Sequence, residues 1–428
     1  MKRRNDIQGL RALAIVGVHL YHLSSEDFPS GLLGVDVFFV ISGYLITSIL
    51  HKKHRNSDTW IIIKDFYFRR IRRIVPLALI VILISLTVGL LVNSPRRPIQ
   101  GERITGCLEM CKEAIFASTF TDNLVYLLFG SDFYDINRWP RFLLHYWSLA
   151  VEMQFYLISP ILLFLSRKLR RKFVELTITM AIAIFSAYAY YKSDYFVSYC
   201  WLHCRLWEFL VGTLVYMLLR SLNSNETTLA YLTNRKNIVS QVSLTWHRVL
   251  RNKFGASFVS NILAVFLFIL LLEPQRLFGI NYHFPMTWRQ LLAVSATSVI
   301  LAVNSSLEEH GTLLICNENL VSLGDISYEF YLAHYMVICH MRCFNEFGDM
   351  GLTTKKSIVA TLISFGLAKV LHNFVDPQFQ QLPNWAALYI VILTLYFILT
   401  CLFALLMTFG CGLIISMWEI FCKDISIE

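Results

Sequence analysis

Charged residues are scarce in this sequence, and acidic residues are the scarcer kind. Asp, Glu, Lys and Arg together make up 16% of the 428 residues, whereas a soluble domain has roughly a quarter. Hydrophobic residues make up 56%, and they fall in many apolar runs of about 17 to 25 residues, the length that crosses a bilayer. A soluble globular fold is therefore excluded, and the chain is predicted to be a polytopic membrane protein.

Other patterns are missing as well. No segment alternates apolar and polar residues over about ten positions, as the strands of a membrane β-barrel do, and no short internal repeat divides the chain. The first apolar run lacks a small-residue cleavage site, so it is predicted to be a retained span and not a signal peptide. The cysteines show no zinc-type spacing, so no metal is expected. Three cysteine pairs four residues apart fit either a disulfide or plain packing: Cys107/Cys111, Cys200/Cys204 and Cys339/Cys343.

The apolar runs predict an all-α polytopic membrane helix bundle of about eleven transmembrane helices. The predicted spans lie near residues 8–24, 34–50, 74–92, 145–165, 173–191, 206–220, 257–273, 290–305, 326–342, 357–375 and 387–416.

The basic residues set the expected orientation. If the spans alternate, the clusters at 52–55, 69–73 and 167–172 all fall on the side of the N-terminus, and basic loops stay in the cytoplasm. The N-terminus is therefore predicted to be cytoplasmic and the C-terminus extracytoplasmic, with an extracytoplasmic loop at about 93–142. This placement explains the formal net charge of +9, and nucleic-acid binding is not expected.

Ionisable residues inside the predicted spans are the candidates for chemistry, because they are costly in lipid and usually face a protein interior or a water-filled path. The stretch RALAIVGVHLYH in the first span opens with Arg11 and closes with His22. The helix between them makes three turns plus about 20° and rises about 16 Å. Both side chains therefore lie on one stripe, with His22 expected at mid-depth. A snorkelling arginine with a structural histidine is the alternative.

Asp36 begins the second span, which is predicted to neighbour the first, so this carboxylate could reach His22. A carboxylate that accepts from one imidazole nitrogen fixes the tautomer and raises the basicity of the other nitrogen. A helix N-cap is the structural alternative.

Four arginines at the inner end of the third span form pairs three residues apart. Such forks suit phosphate groups, although plain anchoring of the span would use the same residues. They are Arg69, Arg70, Arg72 and Arg73.

Later spans carry further polar groups. Glu152 and Tyr156 share a helix face, and Glu152 needs a partner, for which the arginines and histidines are candidates. Arg205 and Glu208 are spaced to pair with each other. His334 lies among tyrosines, as a structural core histidine would also do.

In their residues and in their order along the chain, these stretches resemble the motifs of the acyltransferase-3 family of integral membrane acyltransferases. The resemblance extends from Asp6 to about residue 415 and implies a membrane domain at 6–416, an extra C-terminal span, and a tail at 417–428. It rests on the Arg-to-His spacing at 11–22, GVDVFFVISGYL at 34–45, the arginine pairs at 69–73, WSLAVEMQFY at 147–156, RLWEFLVG at 205–212 and ISYEFYLAHY at 326–335.

The resemblance implies transfer of an acyl group, commonly acetyl, from cytoplasmic acyl-CoA to a hydroxyl of an extracytoplasmic, mostly carbohydrate, acceptor. It implies that His22 is the essential histidine. We predict that His22 acts as general base, oriented by Asp36, with an acyl-histidine as the alternative. The predicted catalytic residues are His22, Asp36, Glu152 and Tyr156. The predicted substrate- and acyl-CoA-binding residues are Arg11, Arg69, Arg70, Arg72, Arg73, Arg205, Glu208 and His334.

Family members that begin with a similar KRRNDIQGLRA stretch often carry an extracytoplasmic SGNH hydrolase-like domain after the extra span. This sequence has no Gly-Asp-Ser motif. It is therefore expected to be a shortened form or to need an SGNH-type partner in trans. Two other functions would use the same buried charges, a transporter of an acyl or sugar compound and a catalytically incomplete regulatory protein.

Overall fold

The computed structural model of this protein describes residues 4–53, 59–93, 100–124, 141–168, 172–224, 253–272, 285–305, 314–343, 352–386, 389–398 and 400. Within these ranges every regular element is a helix, and no β-strand occurs. The predicted all-α class is confirmed. Helices suit lipid because each one satisfies its own backbone N–H and C=O groups.

The helices follow the predicted spans closely. They are α1 (Asn5–Leu23), α2 (Gly34–Lys53), α3 (Thr59–Asn93), α4 (Gln100–Ser118), α5 (Tyr146–Lys168), α6 (Lys172–Lys192), α7 (Tyr195–Cys200), α8 (Leu202–Ser224), α9 (Lys253–Leu272), α10 (Met286–Asn304), α11 (Glu318–Asp325), α12 (Ser327–Cys343), α13 (Thr354–Val370), α14 (Asp376–Gln380) and α15 (Tyr389–Ile398). Among the described residues, 7 helical stretches are long and apolar enough to cross a membrane. A multi-pass membrane protein is confirmed, and the count of about eleven spans stays a prediction.

Some predicted segments are described only in part. The predicted loop at 93–142 contains α4, and the predicted last span at 387–416 is described mainly as α15. The predicted tail at 417–428 lies outside the described residues. No disulfide joins Cys200 to Cys204, because Cys204 is a free, buried cysteine; the alternatives of a disulfide or plain packing stay open for the other two pairs.

The helices belong to two compact units. The first unit comprises Met1–Ile63, Val151–His334 and Gly351–Lys369, and the second comprises Lys64–Ala150, Tyr335–Met350 and Val370–Glu428.

In the first unit, α2 and α8 run parallel and in close contact. A Cβ atom added to Gly43 would lie 1.8 Å from the Phe209 carbonyl oxygen, so only glycine permits this backbone approach. Further along both helices, the hydroxyl oxygens of Thr47 and Thr213 are 2.9 Å apart. These two helices correspond to the second and the sixth predicted span. Spans that alternate in direction make the second and the sixth parallel, as α2 and α8 are.

In the second unit, a buried carboxylate joins α4 to the segment before α5. The two carboxylate oxygens of Glu113 accept the backbone N–H groups of Phe142 at 3.2 Å and Leu143 at 2.9 Å. Burial raises the pKa of Glu113 to about 7, although Arg141 and the two amides act in the opposite direction. Glu113 lies outside the candidate spans, in the predicted extracytoplasmic loop.

The Glu113→Gln variant is expected to lose much of the pH dependence of stability between about pH 4.5 and 7. In this window the folded protein keeps a proton on Glu113 that the unfolded chain releases, because the folded pKa is the higher one. Wild-type stability therefore falls as the pH rises. The difference between 4.5 and about 7 corresponds to about 3 kcal/mol. Thermal unfolding in detergent at several pH values measures the slope.

Glu109→Gln is the control for this variant. Glu109 lies one turn earlier on α4 and pairs with Lys112 at 2.8 Å, so its removal leaves the Glu113 carboxylate in place. The control should keep most of the wild-type slope. An equal slope in wild type and Glu113→Gln would contradict the assignment of the pH dependence to Glu113.

Candidate functional site

Three histidines of the first unit lie together. His19 and His22 come from α1, and His334 comes from α12. The ring centroid of His334 lies 5.8 Å from that of His19 and 5.4 Å from that of His22, separations at which aromatic rings are in contact. The structure thus brings together two predicted site residues, His22 and His334, from opposite ends of the chain.

The backbone orients the imidazole of His334. Its Nδ1 lies 3.0 Å from the Phe330 carbonyl oxygen. Since a carbonyl only accepts, Nδ1 carries the proton, and Nε2 is the nitrogen with the lone pair when the ring is neutral. His19 is held differently, with Nε2 2.9 Å from the Thr361 hydroxyl. His19 is not among the site residues that the sequence predicts, and it joins the group only because α12 packs against α1.

His22 lies in the last turn of α1, which ends at Leu23. Its predicted mid-depth position in the membrane stays a prediction. The side chain is partly buried. Arg11, at the other end of the same stripe, donates to Gln8 Oε1 at 3.3 Å.

Asp36, Arg205 and Glu208 form a buried ion cluster. Arg205 Nη2 lies 3.0 Å from Asp36 Oδ1 and 3.2 Å from Glu208 Oε2, and none of the three side chains is more than 1% exposed. The pairing of Arg205 with Glu208 that the spacing predicts is formed. Gln290 on α10 donates to both carboxylates, at 2.5 Å to Asp36 and 2.9 Å to Glu208.

The predicted contact between Asp36 and His22 is not formed. Oδ1 of Asp36 accepts from Arg205 and Gln290, and Oδ2 has no partner among the described residues. A buried carboxylate is stabilised by an opposite charge. Arg205 supplies that charge because Asp36 and Arg205 lie near the first turns of α2 and α8, which run parallel. Sequence reasoning missed Gln290; an amide at the start of a predicted apolar span was the available signal.

Glu152 finds its partners among hydroxyls. Its Oε1 accepts hydrogen bonds from Tyr156 Oη on the same helix and from Ser42 Oγ on α2. The predicted shared face of Glu152 and Tyr156 is therefore real, while the predicted arginine or histidine partner is wrong. The Tyr156 hydroxyl therefore directs its proton to Glu152.

The arginine motif lies on α3 in the second unit. Arg69 pairs with Asp65 at 2.7 Å, and Arg72 donates to the Leu382 carbonyl. Arg70 lies over the Phe66 ring, 5.7 Å from its centroid. Arg73 is exposed. Two members of the motif thus support the fold, and Arg70 and Arg73 form its other i,i+3 pair.

Comparisons with known proteins identify the family of this chain. A family model described as an acyltransferase domain matches residues 4–408. SAR0937 of Staphylococcus aureus strain MRSA252, provisionally named an O-acetyltransferase, is 26% identical over 409 residues, which cover 91% of this chain and 60% of that protein. The O-acetyltransferase OatA of strain NCTC 8325 is 25% identical over 381 residues, covering 88% and 57%. The chain spans about three fifths of the length of these relatives. No solved structure matches.

Proposed function

This chain belongs to the acyltransferase-3 family, as its motifs predict, and we propose that it is a membrane O-acyltransferase. The donor is a cytoplasmic acyl-CoA, with acetyl as the acyl group, and the acceptor is a hydroxyl of an extracytoplasmic carbohydrate. The domain at 6–416 acts as one functional unit, with the N-terminus in the cytoplasm. The relatives named as O-acetyltransferases support this reaction class.

The contact between His22 and His334 carries the proposal. Acyl transfer from a thioester needs a base to take the acceptor proton. The neutral imidazole of His22 takes the proton of the hydroxyl, the hydroxyl oxygen attacks the thioester carbonyl, and the proton passes to the departing coenzyme A thiolate. His334 lies against His22 and contacts the substrate beside it. Arg11 lies nearer the donor side on the same helix.

Release of free coenzyme A from acetyl-CoA by the purified protein in liposomes tests this function. Wild type is expected to release coenzyme A, and a glycan acceptor is expected to increase the rate. Passage of an unmodified sugar across the membrane without release would favour a transporter. Donor binding without release would favour a form that needs an SGNH-type partner in trans.

We also propose that Arg70 and Arg73 bind the phosphates of the coenzyme. The Arg73→Gln variant is expected to raise the KM for acetyl-CoA about fivefold, because an exposed charge pair contributes about 1 kcal/mol. The effect should shrink as the salt concentration rises. Initial rates of coenzyme A release at several donor concentrations measure it.

Lys64→Gln is the matched control, since Lys64 is another exposed cation on α3. It should leave the KM for acetyl-CoA close to the wild-type value. A similar rise in both variants would indicate a general effect of surface charge. An unchanged KM in Arg73→Gln would show that the motif only anchors the helix.

A further inference from the structure

The two carboxylate oxygens of Glu152 differ in their hydrogen bonds: Oε1 accepts two, and Oε2, here called the open oxygen, accepts none from the described residues. Both of its hydrogen-bond partners, Ser42 and Tyr156, donate to Oε1. Oε2 has no hydrogen bond from any residue that the structure describes, and it is not among the fully buried atoms. An ionised carboxylate only accepts, with capacity on both oxygens. The open oxygen is therefore available to a hydrogen-bond donor from outside the chain.

This open oxygen belongs to the inward face of α5. Phe155 and Ser159 lie within about 60° of Glu152 around the helix, and they are only 2% and 3% exposed. The opposite face of α5 is apolar and exposed, as a face in contact with lipid would be. Leu157 and Ile161 on that face are 61% and 52% exposed. The partial exposure of Glu152 therefore arises on the protein side of the helix.

The partners of Glu152 hold the carboxylate in a fixed orientation. Ser42 lies in the middle of α2, away from both helix ends, and Tyr156 is one turn from Glu152 on α5. Because the two donors come from different helices and converge on one oxygen, the carboxylate cannot turn without breaking one of the bonds. No cation contacts Glu152 within the described ranges. An acceptor oxygen that is held in a fixed orientation and has no partner among the described residues is suited to accept a hydrogen bond from a ligand.

We propose that Glu152 is a binding residue for a hydroxyl group of the acyl acceptor, through Oε2, and that Ser42 is the positioning residue that holds it. Carboxylates are strong acceptors for ligand hydroxyls because the hydrogen bond is charge-assisted. The ligand class is a polyhydroxylated molecule whose second hydroxyl is held while the first reacts. This assignment rests on the proposed acyltransferase function, and it gives Glu152 and Tyr156 a role in acceptor binding and not in proton transfer.

The test uses the full-length protein in liposomes, acetyl-CoA as donor and methyl glucoside as the probe acceptor. Formation of acetylated methyl glucoside is followed as its concentration is varied, and then as the donor concentration is varied. Glu152→Gln is expected to raise the KM for methyl glucoside about 10-fold or more, since the charge-assisted bond is lost. Ser42→Ala is expected to raise it about threefold. In both variants the KM for acetyl-CoA is the comparison.

Ser298→Ala is the control, because it removes a buried hydroxyl that bonds to the Val294 carbonyl of its own helix. A rise confined to the acceptor KM supports the proposal. Equal rises in both KM values, or the same change in Ser298→Ala, would overturn it by showing general damage to the fold. Coenzyme A release by wild type without acetylation of methyl glucoside would also overturn it. Absence of any release by wild type would instead overturn the proposed function, and the inference with it.

Discussion

The His22→Ala variant is expected to release coenzyme A from acetyl-CoA more slowly than wild type by about 10² to 10⁴-fold, the contribution of a positioned general base. Alanine removes the imidazole that takes the proton of the hydroxyl. The neighbouring His334 is not expected to replace it, because the hydrogen bond from its Nδ1–H to the Phe330 carbonyl holds the ring on α12, where its Nε2 does not take the position of the His22 imidazole. Initial rates in liposomes at saturating donor concentration measure the effect.

His203→Ala is the control for this loss. His203 is an exposed histidine at the start of α8, outside the group formed by His19, His22 and His334. It should keep a rate close to that of wild type. Thermal unfolding of His22→Ala should also match wild type, because the partly buried His22 lies at the end of its helix. A wild-type rate in His22→Ala would show that another group takes the proton.

The Arg205→Met variant is expected to lower the free energy of unfolding by about 3 to 5 kcal/mol, the cost of breaking a buried ion pair by removing one partner. Methionine fills a similar volume but leaves the carboxylates of Asp36 and Glu208 without their counter-charge. Gln290 would still donate to both, but an amide does not balance the charge. The yield of folded protein in detergent and its thermal unfolding measure the loss.

A triple variant separates charge from packing. Asp36→Asn, Arg205→Met and Glu208→Gln together remove all three charges, and the combination should recover most of the stability that Arg205→Met loses, since a buried ion cluster can be replaced by neutral groups at little cost. If the triple variant is as unstable as the single one, lost packing of the arginine side chain and not the charge imbalance explains the effect.

Contacts within one helix were predictable from the sequence. The spacing of Arg205 and Glu208 predicts their pairing, and the spacing of Glu152 and Tyr156 predicts their shared face; both contacts are present. Helical periodicity makes this possible, because residues three or four positions apart always lie on neighbouring parts of one surface.

Contacts between helices were not predictable in the same way. Asp36 was expected to meet His22 on the preceding helix, since short loops make sequential helices neighbours. It instead meets Arg205, 169 positions away. Glu152 meets Ser42 across 110 positions. In each case the partner depends on which helix faces are pressed together, and local spacing carries no information about that.

The sequence by itself determined that this protein spans the membrane and to which family it belongs. It also determined the positions of most helices along the chain. All of these follow from apolar run length and ordered motifs, which are local properties. Only the tertiary structure decided the partner of Asp36, the hydroxyl partners of Glu152 and the contact of His22 with His334. The physical reason is that a buried polar group takes whichever partner the packing of distant helices brings within hydrogen-bond range.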